Sequence, residues 1–194
     1  MAYLQTVPPS DAGGAVRAMY DAEVASNGYV SNKAQLFSLR PAIYGAWFDL
    51  IGAIRAPMEL RRYELATLAA ARTLRCRYCV GAHATVLESK VFDHPQVEAI
   101  VRDYRHAGLT AAEVAVMSLA EAVASDASRV TPADVDELRG HGLSDAEIFD
   151  VVLAAAARCF FSKTLDALGA EPDEEYRAAA AMLDLVELTP VSPR

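Results

Sequence analysis

Nearly every readable stretch of this chain carries apolar residues three and four apart, and almost none shows the strict alternation of a half-buried strand. A sheet has nothing to be built from, so the expected fold class is all-α. Proline and glycine punctuate the pattern where helices start and stop. "AVRAMYDAEVA", Ala15 to Ala25, follows Pro-Pro-Ser-Asp; "PAIYGAWFDLIGAIRA" opens at Pro41; Pro57 separates that helix from the one carrying Glu64. "PQVEAIVRDYRHAG" runs from Pro95 to Gly108, and "PADVDELRGHG" runs from Pro132 to stop near Gly140 and Gly142. A last helix, "DEEYRAAAAMLDLVEL", precedes the tail "TPVSPR". Two further starts are capping boxes, "TAAE" at Thr110 to Glu113 and "SDAE" at Ser144 to Glu147, each after Gly-Leu. The total is about eight or nine helices.

At 194 residues the chain suits one domain spanning 1–194, and roughly 70% of the unfolded surface can be buried at this size. A hydrophobic share of 53% with 23% charged residues excludes a disordered chain, yet no apolar run approaches the ~20 residues that span a bilayer. The first residues lack a basic segment followed by an apolar one, so a cytoplasmic location is expected. A net charge of -8 leaves no footprint for nucleic acid or an anionic membrane. One local basic patch, Arg61, Arg62, Arg72, Arg75 and Arg77, could hold an anion or depress a thiol pKa, although such charges are ordinarily solvated surface. Three cysteines do not make a secreted disulfide framework, so the pair in "CRYC" reads as metal-binding or redox-active.

The segment around that pair has a second copy. "LRRYELATLAAARTLRCRYCVGAHATVL" lies over "LSDAEIFDVVLAAAARCFFSKTLDALG" without a gap, pairing Leu60 with Leu143, Glu64 with Glu147, Arg75 with Arg158 and Cys76 with Cys159. Ser162 then stands where the first copy has Cys79, and Asp166 where it has His83. The expectation is an internal helical repeat in which the first copy kept the chemistry and the second kept the packing. Cys159, beside Phe160 and Phe161, reads as a small buried hydrophobe.

Cys76 and Cys79 are spaced to form a disulfide if Cys76 lies at or before a helix start. There its neighbours Arg75 and Arg77 and the free N–H groups would favour a thiolate. His83 follows Cys79 at i+4, on the same helical face, and imidazole can take and return a thiol proton. Glu64 is harder to place: on an unbroken helix it would stand ~18 Å from Cys76. It joins the thiols only if the chain bends between Thr73 and Arg77, or by way of another element, another subunit or water. On spacing alone it belongs to the early turns of its own helix, where acidic residues are favoured.

The pattern of Glu64, eleven residues, Cys76-Arg77-Tyr78-Cys79, three residues, His83 resembles the signature of the AhpD-like alkylhydroperoxidases within the carboxymuconolactone decarboxylase superfamily. "GYVSNKAQLFSLRPAIYGAW" and "LSDAEIFDVVLAAAARCFFSKTLDALG" resemble segments flanking the core in its peroxidase-related branch, so the likeness runs from about Gly28 to Gly169. The resemblance implies a single all-helical domain with its core motif region at about residues 41–125, helical extensions on both sides, and a homo-oligomeric assembly. It implies that Cys79 attacks a hydroperoxide and becomes a sulfenic acid, that Cys76 resolves it as a Cys76–Cys79 disulfide, and that His83 and Glu64 relay the thiol proton. No cofactor is implied; the disulfide is reset by an external dithiol, lipoyl-bearing or thioredoxin-like. Tyr78 stands where other members carry a second histidine.

Two alternatives stay open. Cys76, Cys79 and His83, with Cys159 brought in by the repeat, could ligate zinc, although structural zinc sites ordinarily use two separated pairs. A vestigial motif in a non-catalytic helical oligomer is the other. A haem attachment is excluded, because Val80 stands where CxxCH needs histidine. His94, His106 and His141 sit at helix ends and read as caps or surface, while Tyr44, Trp47 and Phe48 read as core or interface, or as an apolar entrance for a hydroperoxide.

Overall fold

The computed structural model describes residues 2–186 and contains ten α-helices and no strand among them. The helices are α1 (Gly14–Asn27), α2 (Asn32–Phe37), α3 (Pro41–Arg55), α4 (Leu60–Thr73), α5 (Arg77–Lys90), α6 (His94–Asp103), α7 (Ala111–Asp126), α8 (Pro132–Gly140), α9 (Asp145–Ala167) and α10 (Arg177–Ala181). The all-α expectation holds. The count exceeds eight or nine because α2 is only six residues long, too short for periodicity to register. Both capping boxes form, and Thr131 with Asp134 adds a third at the start of α8. The predicted last helix is broken into a 3-10 turn, α10 and a second 3-10 turn. Isolated helices this short do not hold by propensity, so packing sets their form. The tail "TPVSPR" lies outside the described residues. No single helix among those described is long and apolar enough to cross a membrane.

One core draws on all ten helices. Its centre is α4, where every residue from Tyr63 to Ala71 is buried, so this helix has no solvent face. The alanines in that run let α5, α7 and α9 pack closely around it. Against α9, α3 sets Trp47 flat on Phe161, ring centroids 4.5 Å apart. A buried carboxylate ties α1 to α2 and α3: Glu23 accepts hydrogen bonds from Tyr44 Oη at 2.7 Å, from Asn27 Nδ2 at 3.1 Å and from Ser31 Oγ.

The turn between α4 and α5 decides where the site forms. The N–H of Cys76 reaches back to Ala71 O and that of Arg75 to Arg72 O, both 3.0 Å, which is the Schellman closure of a helix. Its left-handed position is filled by Arg75, with φ 59°, where glycine is usual. The chain reverses within three residues, and α5 runs back along α4.

The repeat holds only in part. Its first halves are both helical, but Cys76 lies in this turn whereas Cys159 lies inside the unbroken α9. The two copies therefore have different shapes beyond the aligned arginines.

On the far side of α5, Gly81 faces the chain at Tyr176: a Cβ there would meet Tyr176 O at 2.7 Å and Ala180 Cβ at 3.0 Å. Gly81→Ala is expected to destabilise the fold by roughly 1–3 kcal/mol, although alanine is the better helix former by about 1 kcal/mol. Gly52→Ala, on the open face of α3 with no atom near its Cβ, should instead gain about 0.5–1 kcal/mol. Denaturant midpoints of the two variants check both signs.

Candidate active site

Three helices each supply a pair of side chains one turn apart. The hairpin turn lets α4 place Glu64 and Thr67 against α5, which carries Cys79 and His83. Nδ1 of His83 lies 2.7 Å from Glu64 Oε2 and 3.2 Å from Thr67 Oγ1. The expectation that Glu64 stays within its own helix turn is overturned: the bend between Thr73 and Arg77 is present. Glu64 is only 3% exposed and its partner is His83. A carboxylate at this distance fixes the proton on Nδ1 and leaves Nε2 as the basic nitrogen.

Cys76 caps the start of α5, as its spacing to Cys79 suggests, and both thiols are buried and reduced. The charge beside them does not come from the basic patch. Arg61, Arg62 and Arg77 pair with Glu113, Glu147 and Asp184, while Arg72 donates to the carbonyls of Val101 and Arg102. It comes from Arg158 on α9, 5% exposed, whose Nη1 stands 3.7 Å from Cys79 Sγ. Trp47 and Phe161 cover this guanidinium, with ring centroids 5.6 and 5.7 Å from Cζ.

The two thiols are driven apart in acidity. A hydrogen bond from Cys76 holds the Cys79 thiol well below the ordinary thiol range, with help from the Arg158 charge, the nearby Ser162 hydroxyl and His83, and against the cost of burial. The same hydrogen bond, followed by burial, pushes Cys76 up. Asp166, one turn beyond Ser162, faces Cys76, and burial pushes its carboxyl above the usual range.

Arg158, Ser162 and Asp166 are the residues that sequence reasoning passed over. The repeat had marked all three positions but assigned the second copy to packing. Its polar residues instead face the thiols, because α9 continues straight where the first copy turns. An arginine in an alanine-rich, apolar helix was the available signal.

Other expectations resolve simply. No direct hydrogen bond joins His83 to the Cys79 sulfur. Tyr78 donates its hydroxyl to Asp173, which also accepts from the Asn32 N–H at 2.8 Å, so it ties α5 to the chain around α2. Cys159 is half-buried rather than buried. It lines a separate cleft with Phe160, Lys163 and Thr164, so the four proposed zinc ligands do not converge. Among the described residues no group of three or more His, Cys, Asp or Glu is arranged to hold a metal ion. His94 and His106 contact Glu88 and Asp103 at the surface, at 3.0 and 2.5 Å. Tyr44 and Trp47 are core. Tyr44 and Phe48 also line an apolar groove of about 800 Å³ between α1 and α3, whose walls include neither Cys79 nor His83.

Because its folded pKa is depressed, Cys79 contributes stability that is complete above the unfolded thiol pKa of ~8.5 and is lost as pH falls through the folded value. Ultraviolet titration of the reduced protein should show one thiolate formed well below ~8.5 and absent from Cys79→Ser. Three thiols titrating together at ordinary values would contradict this.

No protein-family model matches the chain, and no curated protein matches it in sequence. Solved structures do. A peroxidase-related protein from Ralstonia eutropha JMP134, described as an alkylhydroperoxidase AhpD core, superposes with a TM-score of 0.83 at 20% identity over 92% of this chain and 96% of its own. A peroxidase-related protein from Silicibacter sp. TM1040 gives 0.80 at 20% identity over 91% and 94%. The debrominase Bmp8 gives 0.74 at 16% identity over 94% and 96%. At these identities the likeness is one of architecture, and the chain has the AhpD-like helical fold.

Proposed function

We propose that the protein is a thiol peroxidase that reduces hydroperoxides through Cys79 and Cys76. The observation that carries this reading is the pairing of a buried, acid-shifted Cys79 beside Arg158 with a Glu64–His83 hydrogen bond on the adjoining helices. A debrominase shares the fold, so the choice of reaction rests on the site.

In this mechanism the Cys79 thiol proton leaves by way of His83, whose Nε2 accepts it while Glu64 holds Nδ1–H. The thiolate attacks the terminal oxygen of R–O–O–H: an S–O bond forms, the O–O bond breaks, and the alkoxide takes up the proton to leave as alcohol. Sulfur is oxidised to the sulfenic acid and the peroxide is reduced. Cys76 then attacks that sulfur, forming the Cys76–Cys79 disulfide and releasing water. An external dithiol, lipoyl-bearing or thioredoxin-like, reduces the disulfide. The opposite shifts suit this order, since the raised pKa of Cys76 keeps it the protonated partner while the lowered one favours the Cys79 thiolate that meets the peroxide. A homo-oligomer belongs to the same proposal, supported by the exposed Ile43, Phe48 and Leu50 on α3.

Peroxide consumption with a dithiol reductant tests the reading. Cys79→Ser should abolish it, and Cys76→Ser should give one turnover ending at a sulfenic acid that a dimedone-type reagent traps. Glu64→Gln or His83→Asn should slow the peroxide step about 10²–10⁴-fold. Full turnover in Cys79→Ser, or debromination of a bromopyrrole without any peroxide reaction, would sink it.

A further inference from the structure

Two buried side-chain atoms have no hydrogen-bond partner among the described residues, and no others share that condition: Arg158 Nε and Ser162 Oγ. Native proteins satisfy nearly all such groups, because a buried donor left alone forfeits its hydration without return. These two stand one turn apart on the same face of α9. Ser162 is fully buried, Arg158 nearly so, and the neighbouring Nη1 of Arg158 already contacts Cys79. The stacked Trp47 and Phe161 rings hold the guanidinium from behind. The protein thus keeps a fixed charge and a hydroxyl beside Cys79, and apart from the influence of the Ser162 hydroxyl on that thiol it engages neither Nε nor Oγ.

We infer that Arg158 Nε–H and the Ser162 hydroxyl form the subsite that holds the two oxygens of a hydroperoxide against Cys79. This rests on the peroxidase reading above. Ser162 accepts from the terminal O–H and orients the oxygen that sulfur attacks. Arg158 donates to the second oxygen, where negative charge gathers as the S–O bond forms and the O–O bond breaks. A donor fixed in advance at that position stabilises the transition state more than the bound peroxide. The alkoxide then takes the proton held at His83, so atoms and charge balance without a further reactant.

The test must separate this role from an effect on thiol acidity. The reduced protein is reacted with cumene hydroperoxide and, separately, with iodoacetamide across the thiol titration, and both rates are divided by the thiolate fraction. Ser162→Ala is expected to lower the corrected peroxide rate about 10-fold, and Arg158→Lys about 10²–10³-fold, with the corrected iodoacetamide rate nearly unchanged. Thermal unfolding should show Ser162→Ala folded, with a Tm close to that of the parent, since the hydroxyl has no hydrogen-bond partner beyond its influence on Cys79. That variant decides the matter if Arg158→Lys does not fold. Equal losses in both rates, or no loss in either, overturn the subsite while leaving the peroxidase reading intact. A parent protein that ignores cumene hydroperoxide overturns both.

Discussion

A guanidinium, that of Arg158, sits in the middle of this helical bundle with no carboxylate paired to it among the described residues. Burying such a charge unpaired costs several kcal/mol, so the bundle must supply an anion, and the Cys79 sulfur at 3.7 Å is the group placed to become one. The dependence runs both ways, because the thiolate is equally costly without Arg158. Much of the surrounding architecture serves this one contact. Unbroken through Cys159, α9 presents Arg158 and Ser162 on one face; α3 brings Trp47 onto Phe161 and closes the guanidinium off from solvent.

The other half of the site depends on one turn. Reversing the chain within three residues at Arg75 puts Cys76 at the start of α5 and lays His83 beside Glu64. Without it the acid and the thiols would stand more than a helix turn or two apart on a single rod. The alanine-rich middle of α4 makes the reversal useful, because small side chains let α5 approach closely enough for a 2.7 Å contact. Close packing recurs at Gly81, where α5 meets the chain at Tyr176 on its opposite side.

The sequence made the helices legible wherever their ends used familiar residues. Pro41, Pro132, Thr110 and Ser144 mark starts that the structure keeps, and Gly142, with φ 89°, closes α8 in the same manner as Arg75 closes α4. The difference at Arg75 is that an arginine occupies the left-handed position, so nothing announced the bend on which the Glu64 assignment turned. Cys76, Cys79 and His83 were readable from spacing because they lie on one element. Arg158 and Ser162 were not, since their proximity to Cys79 arises from helix packing across 79 residues of chain. The repeat aligns Arg158 and Ser162 with Arg75 and Cys79, but alignment carries likeness and not facing.

The proposal stands or falls on Cys79 and Cys76 forming one redox pair within a single chain. Its most direct test is to treat the fully reduced protein with one equivalent of organic hydroperoxide, count the remaining thiols, and map the linkage by peptide mass. The expected result is loss of two thiols, a Cys76–Cys79 disulfide within one chain and an unmodified Cys159. Three thiols left unreacted, or a linkage through Cys159, would contradict it.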